Sequence, residues 1–494
     1  MLYVRTFIVL CLSLYISRAV LAALGAEDIG IFNVVAGIVM LLSFFQTALI
    51  KSTGRFITYD LGTDADINRQ RRTFAACKGI HLLITAILLL LSETVGLWIL
   101  YRFTVIPADR FNAALIVYQF AVVTFVTQIM CVPYSAAIIA HEKMSAYAII
   151  SIIETLLKLG LVLLIPHIPA DSLILYGFIV AVVTILVFFI NVVYVVNTMP
   201  AYKTKVSWDK EISKNILALS GWTMLGSATN TGTQQGIALL FNNFVSLIAN
   251  AALGFANQVN AALSQFINSF TTAFNPQVIK LCAANEMDAL HNLMIKASKI
   301  SFVLAYILAL PLITNMDYIL HIWLVNVPEY TTEFCQLILI CTVIDATTSV
   351  YNTAITATGQ IRNYQIAISI SFALDLLFSY ILLSMHCHPA MVFCSRILTR
   401  GIINMGIGLY FSRRLIQFGI GNYAQQALVP IIIVLVCTIP INYYLAQLFN
   451  GMSLLLISTI TDAVLIICLG YLVILNKEEK EALNQTIKQK LHVR

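Results

Sequence analysis

Apolar runs long enough to be whole helices follow one another along this chain, each closed by a short polar turn. The stretch 172–196, SLILYGFIVAVVTILVFFINVVYVV, has no charged residue. A hydrocarbon core about 30 Å thick is crossed by about 20 residues of helix. In lipid only helices or closed barrels satisfy every backbone donor and acceptor. The runs lack the in–out alternation of barrel strands. Only 11% of the 494 residues are charged and 60% are hydrophobic, whereas soluble domains carry about 25% charged residues. So few charges cannot clothe a water-soluble surface of this size. The sequence predicts an all-α, polytopic membrane protein.

About fourteen transmembrane helices are expected, near 2–24, 29–50, 79–100, 111–139, 145–166, 172–196, 215–241, 250–276, 299–324, 333–357, 364–386, 389–411, 427–447 and 452–475. Lys and Arg crowd alternate loops, at Lys51–Lys78, Lys203–Lys214, Lys280–Lys299 and Arg413–Arg414, while the opposite loops hold little beyond Arg102 and Arg110. The positive-inside rule makes the crowded side cytoplasmic and places both termini there. No cleavable signal peptide is evident, so the first helix is read as its own insertion signal. The tail from Asn476 to Arg494 mixes charges at helical spacing.

The motif inventory narrows function by exclusion. Ten cysteines are scattered without a CxxC pair, which indicates neither a disulfide framework nor a zinc site. His141-Glu142 lacks the second His of HExxH. His386-Cys387-His388 sits in a short loop and reads as a solvated turn rather than a metal site. No glycine-rich phosphate loop is present, and no loop is long enough to host separate chemistry. The reading is no enzyme, no nucleic-acid partner and no bound cofactor.

One stretch is written twice. Residues 133–152 and 351–370 match at one offset: Tyr134 on Tyr351, Ala137 on Ala354, Tyr147 on Tyr364, with 351 − 134 = 217. Gly62–Asp66 resembles Ala284–Asp288, and Trp98 falls on Trp323. Six helices separate the copies, an even number, so both copies share one orientation in the membrane. The expected organisation is a six-helix lobe at 1–200, a second at 201–415, and an appended helix pair with a tail at 416–494.

A charge at bilayer depth costs about 2.5–3.5 kcal/mol on insertion scales, so it lines a cavity or meets a partner. The candidates are Arg18, Glu93, Glu154, Lys158, Asp345, Asp375, Arg396, Arg400 and Asp462. Glu154 and Lys158 share a helical face, either as an internal ion pair or, since 158 + 217 = 375, with Lys158 opposite Asp375 across the repeat axis. Arg396 and Arg400 have no acid at four residues' distance, which leaves an acid elsewhere, a lipid headgroup or an anionic substrate. Arg18 and Arg400 are also placed to snorkel. The helices near 215–241 and 250–276 are uncharged but rich in amides: Asn230, Gln234, Gln235, Asn257, Gln258, Asn260 and Gln265. Polar residues do glue membrane helices together, but this number suits a water-filled cavity lining.

The residues SLYISRAVLAALGAEDIGIFNVVAG (13–37), RFITYDLG (55–62), VPYSAAIIAHEKM (132–144), GWTMLGS (221–227), NAALGFANQVNAAL (250–263), FNPQVIK (274–280) and ATGQIRNYQ (357–365) resemble those of the polysaccharide flippases of the multidrug/oligosaccharidyl-lipid/polysaccharide (MOP) exporter superfamily. The likeness is to the O-antigen and capsule type of Bacteroides-like surface-polysaccharide clusters. Members usually carry a cytoplasmic segment ahead of the LYxR element, which here begins almost at once at Leu2–Arg5. The resemblance implies two six-helix bundles around a cavity opened alternately to either face of the bacterial inner membrane. It implies undecaprenyl-diphosphate-linked oligosaccharide as cargo, membrane lipid around its tail, and polysaccharide-assembly proteins as partners. Arg18, then Lys158, Arg396 and Arg400, would hold the diphosphate, and the amide helices the glycan. Glu154, Asp345 and Asp375 are the candidates for H+ or Na+ coupling. The competing readings are a cation-coupled multidrug exporter, a lipid II flippase, and, from another class, a membrane-embedded polymerase, ligase or acyltransferase.

Overall fold

The computed structural model describes residues 2–40, 42–63, 65–103, 106–324, 327–474 and 480; the tail read as helical at 476–494 otherwise lies outside them. The described residues form helices joined by short turns. In chain order these are α1 (Leu2–Met40), α2 (Ser43–Gly62), α3 (Ile67–Arg102), α4 (Phe111–Ala140), α5 (Met144–His167), α6 (Ser172–Thr198), α7 (Lys210–Phe244), α8 (Leu247–Ala283), α9 (Met287–Thr314), α10 (Met316–Trp323), α11 (Thr331–Thr358), α12 (Arg362–Ser384), α13 (Met391–Ile416), α14 (Ile420–Leu448) and α15 (Gly451–Ile474).

Among the described residues eleven helices are long and apolar enough to cross a membrane, or up to twelve when the bent pair Asp28–Met40 and Ser43–Gly62 is one span. The count falls short of fourteen because α7 and α8, at 35 and 37 residues, lie outside that apolar set. Their length suffices; their Asn, Gln, Ser and Thr content lowers the hydropathy. Helices also run past the boundaries that the charged segments predict. The basic segment from Ile67 to Lys78 is the first part of α3, since Arg, Gln and Lys are good helix formers. Lys299, assigned to a basic loop, is 1% exposed inside α9.

The chain divides into two compact units. The first runs up to Ala228 and includes Ile279–Asn285; the second comprises Thr229–Val278 and the residues from Glu286 onward. Helices α7 and α8 each contribute one part to either unit. In the first unit Ser52 and Ser220 share a hydrogen bond of 2.6 Å, tying α2 to the first part of α7. In the second, Thr233 donates to the Phe372 carbonyl at 2.9 Å, tying the later part of α7 to α12. Buried Val, Ile, Phe and Ala side chains from α1 to α6 form the apolar interior of the first unit. Helices α9, α11, α14 and α15 supply most of that of the second.

The duplicated stretch has a duplicated backbone. Glu142 has φ 58° and Gly359 φ 79°, and 359 − 142 = 217. The amide of Glu142 donates to the Ile139 carbonyl at 2.9 Å, and that of Gly359 to the Thr356 carbonyl at 3.1 Å, the same three-residue closure. Each helix therefore ends on a left-handed residue before the chain re-enters a helix. The weaker match does not extend to conformation: Asn285 is left-handed at φ 59°, whereas Thr63 beside Gly62 has φ −94°.

Candidate functional site

In the first unit α1 presents Arg5, Val9, Ser13, Ile16 and Val20 along one helical face, at the three- and four-residue spacing that stacks side chains. Helix α5 answers with Ser151, Glu154, Thr155 and Lys158, and α6 with Tyr176. Together with Ile29, Phe32 and Asn33 they enclose a cavity of about 610 Å³. Three charged groups share it. Glu154 interacts electrostatically with Lys158 and Arg5. The Lys158 ammonium lies 5.9 Å from the centre of the Tyr176 ring. The Arg5 guanidinium lies 4.9 Å from that of Tyr147, while its buried Nε has no hydrogen-bond acceptor among the described residues.

The sequence candidates do not include Arg5. The signal that finds it is the stripe of residues 5, 9, 13, 16 and 20. Arg18, the leading candidate, is exposed and lies outside this lining.

In the second unit the charges converge on Asp375, which is fully buried on α12. Arg396 Nε lies 3.5 Å and Arg400 Nε 3.4 Å from its Oδ2. Arg400 reaches on through Nη2 to the Asn230 side-chain carbonyl at 2.9 Å. Arg400 sits in a π-helical turn, Ile397–Ile403. Such turns free a carbonyl from the helical ladder, and Ser371 donates to the Thr399 carbonyl at 3.2 Å. Asp345 on α11 is exposed and interacts with both arginines. The acid that the paired arginines lacked in sequence is thus Asp375, which is partnered within its own unit.

The amides separate into two groups. Asn230 is held by Arg400, and Asn260 accepts from Thr342 and, at 3.3 Å, from Ser264. Gln234, Gln235, Asn257 and Gln258 are exposed, and Gln265 is half-buried. No group of three or more His, Cys, Asp or Glu comes together among the described residues.

Outside the membrane segments an ion cluster anchors the α1 kink. Gly25 breaks α1 with φ 78° and ψ 172°. Asp28, just beyond it, accepts from Arg110 Nε at 3.0 Å, and Arg110 Nη1 reaches Asp171 at 2.5 Å. Asp171 also caps α6, accepting from the amides of Leu173 and Ile174. Burial alone would raise the Asp171 carboxyl; the Arg110 guanidinium and those two amides outweigh it and hold it below the usual carboxylate value. At the opposite end, burial first, then the Lys280 and Lys143 charges, push His141 below the ordinary histidine value.

No protein-family model and no curated protein sequence matches the chain. Solved structures do. An outward-facing multidrug resistance MATE family transporter of the MOP superfamily superposes with a TM-score of 0.71 at 12% identity, over 84% of this chain and 94% of its own. A MOP superfamily transporter from Pyrococcus furiosus, described as having a binding pocket of reverse polarity, gives a TM-score of 0.73 at 10% identity over 85% and 96%. MATE in a bent conformation gives 0.64 at 13% identity over 83% and 93%. At such identities the likeness shows the fold, and the fold is MATE-like.

Proposed function

We propose that this protein carries undecaprenyl-diphosphate-linked oligosaccharide across the bacterial inner membrane by alternating access, with both termini cytoplasmic. The observation that carries the reading is the cavity holding Arg5 and Lys158 among apolar helices. A diphosphate taken into hydrocarbon bare meets a desolvation cost of tens of kcal/mol by idealised estimates. A hydrated cavity with two cations removes most of it, and a guanidinium with an unused donor suits phosphate oxygens. About 610 Å³ accommodates a diphosphate and its first sugar, within the usual 300–1,000 Å³ of ligand pockets. The lipid tail stays in the bilayer.

Ion coupling, to H+ or Na+, is assigned to Glu154 and Asp345, the two of the three candidate carboxylates that make no direct ion pair among the described residues. Asp375, engaged by two arginines, serves as their counter-ion. Cationic drugs would be repelled by Arg5 and Lys158, which sets this reading against multidrug export.

The test is complementation of a deletion strain that accumulates lipid-linked oligosaccharide on the cytoplasmic face. Arg5→Gln with Lys158→Gln is expected to reach the membrane at wild-type level and leave the intermediate trapped. Full complementation by that variant, or a deletion phenotype of drug sensitivity alone, would overturn the proposal.

A further inference from the structure

A second polar cluster lies buried in the second unit, between the end of α9 and the pair α14 and α15. Its centre is Asp462, fully buried. Asp462 Oδ1 accepts from Asn442 Nδ2 at 2.6 Å, and Oδ2 has no partner. Asn442 also donates to the Thr438 carbonyl at 3.2 Å, and its Oδ1 accepts from Thr314 at 3.2 Å. Asn315, 2% exposed, donates to the Pro311 carbonyl at 2.8 Å and to Ser458 at 2.7 Å, leaving its own Oδ1 without a partner. Ser458 and Asp462 are four residues apart on one face of α15.

The amide orientations are fixed by what they touch. The Pro311 and Thr438 carbonyls can only accept, so Asn315 and Asn442 must point their nitrogens there; flipping either would set oxygen against oxygen. The orphaned oxygens therefore cannot be removed by reassigning an amide. Tyr306, which shares a 2.7 Å hydrogen bond with Thr438, is a titratable group that feels Asp462. No Lys, Arg or His pairs with Asp462 among the described residues. A buried carboxylate with no counter-charge, beside a second unsatisfied acceptor, is unfavourable as it stands. A bound positive charge neutralises the carboxylate. Carboxylate, amide and hydroxyl oxygens are the donors that hard cations take.

We propose that Asp462, with Asn315, Asn442 and Ser458, binds a monovalent cation, either a sodium ion or a proton. The site lies outside the cavity and the arginine cluster described above and does not depend on what the cargo is.

The test uses the purified full-length chain in detergent, without cargo. Thermal unfolding is followed as sodium replaces choline at constant ionic strength, and the infrared carboxylic-acid band is recorded in sodium-free buffer. The sodium form predicts a saturable rise in Tm that choline does not give and Asp462→Asn abolishes. The proton form predicts a protonated carboxyl band that Asp462→Asn removes. Should Asp462→Asn fail to fold, Asn315→Ala is expected to weaken the sodium response or shift the band. Wild-type protein with neither signature overturns the proposal, as does either signature surviving Asp462→Asn. Because no transport is measured, this outcome is separate from that of the complementation test.

Discussion

Arg400 donates through Nη2 to the side-chain carbonyl of Asn230 at 2.9 Å. The bond joins two residues that the sequence had assigned to different duties, one to phosphate and one to sugar. With its Nε turned to Asp375, Arg400 is held in place from α7 and α12 at once. Asn230→Ala removes one acceptor from a charged donor, an effect of about 1.5–3 kcal/mol. Thermal unfolding is expected to show that loss, with Gln234→Ala, exposed on the same helix, showing almost none.

Asp375→Asn should be harsher. It leaves Arg396 and Arg400 buried without their shared carboxylate, and breaking a buried pair typically costs about 3–5 kcal/mol. The expected outcome is a protein that folds poorly or unfolds at much lower temperature. Wild-type stability in this variant would mean that the arginines are neutralised elsewhere.

Glu142 and Lys280 form an ion pair within the first unit, on the side the charge pattern assigns to the cytoplasm. Gly62 makes that meeting possible, since a Cβ there would come 2.5 Å from the Lys280 Cα. Glu142→Lys is expected to lower transport, and Lys280→Glu added to it to restore much of the loss. A double variant no better than the single one would show that the two charges act independently.

At the repeated corner, Gly359→Ala puts a side chain on a left-handed residue, which costs about 1–2 kcal/mol. Glu142→Gly relieves the same strain but gives up the Lys280 pair. The glycine site should therefore tolerate substitution worse in unfolding assays, while the glutamate site should reveal its loss mainly in transport.

The Asp171 carboxyl gives a pH dependence with a defined sign. Its folded value is depressed below the ordinary carboxylate value of about 3.9. The stabilisation it confers is thus complete above that value and fades as the pH falls through the folded one. Asp171→Asn keeps a good helix cap but has no charge for Arg110. Its stability should lie below wild type at neutral pH and converge with it under acid conditions, as read by unfolding at stepped pH.

Fold class was legible because a membrane tolerates only one way of burying so many apolar residues in helices. The repeated corner was legible for a local reason, since Tyr, Ala and Ile recur around one turn. Boundaries were not. Arg69, Arg71 and Arg72 read as loop, yet nothing in their chemistry ends a helix, and α3 runs through them. The ion cluster at Arg110 was invisible for another reason: Asp28 and Asp171 stand 82 and 61 residues away, and only packing brings them together. Arg18 and Arg5 are separated by rotation about one helix axis, which sequence fixes only once the partners of that helix are known.

The paired left-handed corners bend the chain alike with unlike means. Gly359 meets its positive φ with no Cβ to strain, whereas Glu142 carries a side chain through the same bend and sets its carboxylate against Lys280. The two turns thus match in the course of the chain while only one of them is also an electrostatic contact.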